Sequence, residues 1–270
     1  MNDFTDIKNK TVEAVKQAAR IMVSDRFDIY EKHGSTDIVT SSDLAVQHFL
    51  HKKLKEILPE SGFFCEEEGL RETEPEYIWI IDPIDGTTNY ARGLAECCIS
   101  VALSRRGELC VGVVYNPSLD HIFSAALGKG AELNGRSIHV SDKPFENSLF
   151  CTALSLYEKE YAAVCNDILT EVYSKCNDFR RFGSCAMELC YLAAGMCDLY
   201  FEIRLCPWDY AAAYLILKEA GGEIYELHDA PLSMTKISPV VAANSKENYR
   251  ILSDIVNSHL SEVAYDRRLI

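Results

Sequence analysis

The stretch WIIDPIDGTTNYARG, Trp79 to Gly93, runs an apolar segment into two aspartates three positions apart, with a proline between them and Gly-Thr-Thr-Asn behind them. Tyr77 to Ile81 reads as a strand, because aromatic and β-branched side chains suit a pleated, half-buried surface. Pro83 cannot donate to a ladder and is expected to stop it. Gly86 opens backbone angles closed to residues with a Cβ, so Asp82 and Asp85 would project around a tight turn. Thr87 or Thr88 can cap the segment that follows, where exposed N–H groups attract an anion. Two carboxylates on one turn repel each other, and a hard divalent cation such as Mg2+ or Mn2+ relieves that repulsion through oxygen ligands. Taken alone, the stretch is equally an ordinary Asp-Pro and Asp-Gly turn.

More acids lie at comparable places. In CEEEG, Glu66, Glu67 and Glu68 follow the apolar GFF run. CPWDYAAAYLILKEAGG sets Asp209 in the first turn of a helix that Gly221 and Gly222 stop. A solvated loop accounts for the glutamates and the helix dipole for the aspartate when each is taken singly. Together with Asp82 and Asp85 they point to carboxylates delivered to one cleft. A purely structural calcium loop is a further alternative, although the spacing lacks the further oxygen ligands of an EF-hand.

Around these motifs the pattern alternates between helices and strands. Ile7, Val12, Val15, Ala19 and Met22 recur at helical spacing, and SSDLAVQHFLHKKLKEILPE reads as a second helix capped by Ser41 or Ser42. HGSTDIVT is a polar connection entering a short extended piece. Period-two alternation from Cys97 to Ala126, punctuated at Gly107 and at Asn116-Pro117, predicts three antiparallel strands. Asn134-Gly135 marks a hairpin. Lys143 to Asn147 is the best boundary between an N-terminal lobe, 1–145, and a C-terminal lobe, 146–270, packed as one body. Beyond it come a strand in SLFCTAL, helices around 161–176 and in SCAMELCYLAAG, a strand in CDLYFEI, the helix of Asp209, a buried strand in VVAAN and a last helix from Ser245. The expected fold class is mixed α/β, with helices and sheets in layers and strand ends facing a shared cleft.

The 270 residues are 48% hydrophobic, enough for a sizeable core. A formal net charge of −14 argues against nucleic acid or anionic lipid as a partner, since both demand clustered Lys and Arg. Phosphate would have to be held locally, by metal ions or helix ends. Eleven cysteines without a C-x-x-C pair, most inside apolar runs, read as reduced core thiols. No apolar run approaches the ~18 residues of a membrane span and no signal peptide is evident, so a soluble, cytoplasmic protein is expected. None of the seven histidines forms an H-x-x-x-H or H-E-x-x-H pattern, and none supports Ser184 or Cys185 as a nucleophile.

Taken together, WIIDPIDGTTNY, WDYAAAYLILKEAGG and the upstream CEEEG resemble the inositol monophosphatase family of magnesium-dependent, lithium-sensitive sugar phosphatases. DIVTSSD, the NG hairpin, FGSCA and VVAAN fall in family order, so the resemblance spans nearly the whole chain. It implies an αβαβα sandwich of the inositol monophosphatase and fructose-1,6-bisphosphatase type. It also implies two or three Mg2+ ions, with Mn2+ as an alternative, held by Glu66, Asp82, Asp85, Asp209 and the carbonyl of Ile84. Gly86 and Thr87 would face the phosphate, while Thr87 and Asp43 would activate the attacking water with Glu66 assisting through a metal. Lys32 falls where the family often has a lysine near the metal site. Gly183, Ser184, Cys185 and Glu202 would line the sugar. The implied activity is hydrolysis of a small phosphate monoester, foremost inositol monophosphate, by a homodimer. Fructose 1,6-bisphosphate, adenosine 3',5'-bisphosphate and histidinol phosphate are alternative substrates, and a binding homologue without turnover is the alternative to an enzyme. Cys206 and Pro207 depart from the usual histidine and cysteine, and Arg204 from a usual small residue. Arg204, with Arg180 and Arg181 nearby, fits either a surface salt bridge or contact with a second phosphate.

Overall fold

The computed structural model describes residues 3–23, 27–31, 38–67, 71–72, 74–153 and 159–260. Lys32 and Glu68 lie outside them. Helix α1 (Thr5–Met22) is followed by the short antiparallel pair β1 (Ile29–Glu31) and β2 (Ile38–Thr40) and by helix α2 (Ser41–Ile57). Ala14, Val15, Ala18, Ala19 and Met22 form the buried stripe of α1. The cap of α2 is Thr40, not Ser41 or Ser42. Thr40 Oγ1 accepts the N–H groups of Ser42 at 3.2 Å and Asp43 at 3.4 Å, and Asp43 Oδ2 accepts the N–H of Thr40 at 2.8 Å. This reciprocal box satisfies donors in both directions, which neither serine could do, and it fixes the Asp43 carboxylate in space.

Strands β3 (Gly62–Cys65) and β4 (Tyr77–Asp85), the short helix α3 (Thr87–Ala91), and strands β5 (Cys98–Arg105), β6 (Glu108–Asn116), β7 (His121–Ala126), β8 (Ala131–Leu133) and β9 (Arg136–Ile138) come next. The strands form a seven-stranded sheet in sequence order, parallel between β3 and β4 and antiparallel elsewhere. Asn134 and Gly135 both take positive φ, 52° and 74°, as a two-residue hairpin requires. Pro83 does not end β4. Asp82 pairs with Ser100 and Asp85 with Cys98, so three steps on β4 oppose two on β5 and a bulge absorbs the proline.

The remaining elements are β10 (Leu149–Thr152), α4 (Ala162–Tyr173), β11 (Asp178–Arg180), α5 (Cys185–Ala193), β12 (Leu199–Leu205), α6 (Pro207–Glu219), β13 (Glu223–Tyr225), β14 (Ser238–Ala243) and α7 (Lys246–Leu260). Five strands pair in the order β11-β10-β12-β14-β13, with β10 parallel to both of its neighbours. Strands β11 and β13 are three-residue edges without an apolar pattern of their own, and pairing rather than propensity orders them.

Helices α1 and α2 pack on the seven-stranded sheet, α5 and α6 lie between the sheets, and α4 and α7 cover the outer side of the five-stranded one. The layering is the αβαβα sandwich expected. Val15, Val46, Leu50, Trp79 and Ile81 belong to the first core, Ala186, Leu189, Tyr210, Ala212 and Ile216 to the middle one, and Phe150, Ile168, Phe201 and Val256 to the third. At Gly112 on β6 a Cβ would sit 2.4 Å from the Ala212 carbonyl oxygen, so the absence of a side chain sets how closely α6 approaches the sheet.

Between the sheets the chain is pinned by a buried polar node. Asp198 is fully buried, and its Oδ2 accepts the Leu149 N–H at 2.7 Å while Oδ1 accepts the Ser141 hydroxyl. Asn244 donates to the carbonyls of Ser141 at 3.2 Å and Lys143 at 3.0 Å. All eleven cysteines are free thiols, nine of them buried. Among the described residues no helix is long and apolar enough to cross a membrane.

Candidate active site

A cleft of about 230 Å³ opens where the end of β3, the β4 bulge, the start of α5, the end of β12 and the start of α6 meet. Glu66, Asp82, Ile84, Asp85, Gly86, Thr87, Gly183, Ser184, Cys185, Glu202 and Asp209 all line it. Asp43 reaches it from α2 through Thr87, whose hydroxyl lies 3.0 Å from the Ile84 carbonyl and 3.5 Å from Asp43 Oδ1. Residues spread from position 43 to position 209 thus share one site. His48 and His51 of α2 take no part in it.

Each of three aspartates is held by one carboxylate oxygen. Asp82 Oδ1 accepts the Ile84 N–H at 3.0 Å, and Asp209 Oδ2 accepts the Cys206 N–H at 2.7 Å across the first turn of α6. Asp85 Oδ2 receives the Ser184 hydroxyl at 2.6 Å and the Ala186 N–H at 2.7 Å. Each of these bonds ties its aspartate to a backbone or side-chain donor through one of its two carboxylate oxygens.

The electrostatics are those of crowded, buried acids. Burial raises the Asp82 carboxyl well above the ordinary range, and the charges of Glu66, Asp85 and Asp209 raise it further. Burial pushes Asp85 up to about 6, against the lowering pull of Ser184 and Ala186. Asp209, partly open to the cleft but enclosed on its other sides, is raised by burial and by Asp85 and Glu66. Among the described residues no lysine or arginine forms an ion pair with Asp82, Asp85 or Asp209. Hard, converging oxygen donors that lack a cationic partner fit Mg2+ or Mn2+. Among the described residues no three acids already stand at metal-ligand spacing, so the set converges without closing.

Gly86 has φ 85° and is itself the cap residue of α3; neither Thr87 nor Thr88 caps it. A Cβ there would meet the Glu96 carbonyl oxygen at 2.8 Å. Only glycine places the first N–H groups of α3 at the cleft without a clash.

Several contributing residues were not evident from sequence. Glu188 is buried, lines the cleft and accepts the N–H groups of Phe182 and Gly183, the latter at 3.1 Å. Asn89 donates to the Phe182 and Glu96 carbonyls, both at 2.7 Å, tying α3 to the loop before α5. Asn89 stood in the opening motif, but its partner lies 93 residues away. Ser184, expected from sequence to line the sugar, donates to Asp85 and also accepts the Met187 N–H at 3.4 Å as the cap of α5. Arg180 is turned outward, bonded to Asp178 at 2.6 Å, whereas Arg181 and Arg204 line the cleft.

The model of the inositol monophosphatase family matches residues 1–260. The chain belongs to the inositol monophosphatase family. Its relatives include Nus factor SuhB of Escherichia coli, 36% identical over 221 residues, 79% of this chain and 82% of that protein. Inositol monophosphatase 2 of Solanum lycopersicum is 36% identical over 248 residues, 87% of this chain and 91% of that one. Among solved structures, the Thermotoga maritima IMPase superposes with a TM-score of 0.86 at 27% identity, covering 96% of this chain and 100% of its own. An IMPase/NADP phosphatase complexed with Mg2+ and phosphate shares the fold, with a TM-score of 0.84 at 21% identity over 98% of each chain. Family membership makes the acid-lined cleft of this inositol monophosphatase homologue the place to look for chemistry.

Proposed function

We propose that the chain hydrolyses a small phosphate monoester in this cleft with Mg2+ as cofactor and water as nucleophile. The observation that carries the reading is the convergence of Glu66, Asp82, Asp85 and Asp209 beside the Thr87–Asp43 pair. Glu66, Asp82, Asp85, Asp209 and the Ile84 carbonyl would hold the ions. Bound Mg2+ would supply Lewis-acid charge to the phosphoryl oxygens and lower the pKa of water.

The chain's own residues do the rest. Gly86 and Thr87 present N–H groups to the phosphoryl oxygens. Thr87 Oγ1 can pass its proton to Asp43 Oδ1 and accept one from the attacking water, so that the pair orients that water and takes up its proton. Asp43 stays in place because its Oδ2 is occupied by the N–H and hydroxyl of Thr40, at 2.8 and 2.5 Å. Glu202, buried and accepting the Tyr200 hydroxyl at 2.7 Å, would hydrogen-bond a substrate hydroxyl and disfavour esters that lack one. A polyol phosphate such as inositol monophosphate is the reference substrate on that account.

The test is phosphate release with and without Mg2+ across inositol monophosphate, fructose 1,6-bisphosphate, adenosine 3',5'-bisphosphate and histidinol phosphate. Release that needs Mg2+ and disappears in Asp85→Asn and Asp209→Asn is expected. Ligand binding without release from any ester would mark a binding protein instead.

A further inference from the structure

Asn89 of α3 and Glu188 of α5 line the cleft outside the set proposed to hold metal, phosphate or sugar, and both grip its backbone. Between the end of β11 at Arg180 and the start of α5 at Cys185 the chain belongs to no strand or helix, so its N–H and C=O groups need partners from elsewhere. Glu188 Oε1 accepts the N–H groups of Phe182 and Gly183, and Asn89 Nδ2 donates to the Phe182 carbonyl at 2.7 Å. The peptide joining Phe182 to Gly183 is thus held at its carbonyl from one helix and at its N–H from another. Gly183 takes φ 84°, and a Cβ on it would come 3.2 Å from Asn89 Nδ2, so the amide lies close against the glycine.

The second bond of Asn89 reaches the opposite end of the cleft. Its acceptor, at 2.7 Å, is the Glu96 carbonyl oxygen, the same atom that a Cβ on Gly86 would meet at 2.8 Å. One amide nitrogen therefore ties the surroundings of Gly86, where phosphoryl oxygens would sit, to the Phe182–Gly183 segment, where the leaving group would sit.

We propose that Asn89 and Glu188 are positioning residues that set leaving-group selectivity by holding the Phe182–Gly183 wall at a fixed distance from the phosphoryl-binding turn. The inference rests on the phosphatase reading above and assigns a task to two residues that reading leaves without one. In-line displacement requires the leaving oxygen opposite the attacking water, and a misplacement of about 1 Å can cost on the order of a hundredfold in rate. A polyol braced against the wall depends on that placement. A flat aryl leaving group has no hydroxyls for the wall to hold and departs readily as a phenolate, so it depends on the placement far less.

Phosphate release at saturating Mg2+ is compared for inositol 1-phosphate and p-nitrophenyl phosphate, and the ratio of their kcat/KM values is followed through the variants. The ratio should fall by roughly tenfold or more in Asn89→Ala and in Glu188→Ala. Glu188→Gln keeps a carbonyl oxygen of the same reach as acceptor and should restore most of it. Should Glu188→Ala fail to fold, Asn89→Ala decides alone. Loss of both activities in step, which leaves the ratio unchanged, marks a merely structural role and overturns the inference while the phosphatase reading stands. Absence of release from both esters by the unaltered protein removes the phosphatase reading and this role together.

Discussion

Ser184 donates its hydroxyl to Asp85 Oδ2 at 2.6 Å, across 99 positions of sequence and from one sheet-bearing half of the molecule to the other. The same hydroxyl oxygen caps α5, so one side chain couples a helix start to an acid of the cleft. Ser184→Ala should lower stability by about 1.5–3 kcal/mol, the range for a hydrogen bond to a charged group. It should also free Asp85 to rotate, so the Mg2+ concentration giving half-maximal phosphate release should rise. Thermal unfolding and an Mg2+ titration of activity check the two effects separately, and Ser184→Thr should restore both in part.

The crowded acids impose a direction on stability against pH. Asp85 moves from an ordinary 3.8 to about 6 in the fold, so between those values the native state binds more protons than the unfolded one. Stability in the absence of divalent cation therefore falls as pH rises through that window, and ionising Asp85 costs on the order of 3 kcal/mol by neutral pH. Glu202, raised from 4.5 to about 7, and Asp82 and Asp209, also raised, act in the same sense. In chelator the melting temperature should drop from pH 5 to pH 8. Millimolar Mg2+ should reverse the drop, because an ion that binds only the folded chain stabilises it. A melting temperature that rises over this range in chelator would contradict the sign.

Much of this was legible in the sequence because the deciding residues sit at punctuation: acids beside Pro83 and Gly86, at the end of a strand in CEEEG, and one turn into a helix in PWDY. The major helices and the long strands carried their own periodicity. What escaped depends on chain approaching chain from afar. Pro83 was expected to end β4, yet a bulge against Ser100 and Cys98 carries the strand on to Asp85. Thr40 outcompetes Ser41 and Ser42 as a cap because Asp43 reciprocates. The hold of Ser184 on Asp85 and of Glu188 on Gly183, and the separate fates of Arg180 and Arg181, follow from side-chain directions that no local pattern encodes.

Gly112 illustrates the same point with a measurable consequence. Within β6 it looks like a weakening of a good strand, since glycine there adds backbone entropy and no packing. Its role is to admit α6, and the atom a Cβ would meet at 2.4 Å is a backbone oxygen of Ala212, which cannot rotate aside. Gly112→Ala should therefore destabilise by about 1–3 kcal/mol or more through overpacking. Because Asp209 begins the same helix, Mg2+-dependent activity should fall further than the loss of folded protein explains. Denaturant midpoints together with activity per folded molecule measure both.

Asp43 is the acid of the cleft whose proposed task is proton transfer rather than metal binding, and the two tasks leave different kinetic marks. Asp43→Asn keeps the side chain's size but can no longer take the proton that Thr87 relays. If the pair acts as base, kcat should fall by about 100-fold or more, in the range of positioned general bases, while the Mg2+ half-saturation stays in place. Thr87→Val, which deletes the hydroxyl bridging Ile84 and Asp43, should share that loss, and Thr87→Ser should recover most of it. Asp43 also belongs to the capping box of α2, so Asp43→Asn should cost about 1 kcal/mol of stability, and the assay belongs well below the melting transition. An Mg2+ half-saturation that shifts in step with kcat would place Asp43 among the metal-binding groups instead.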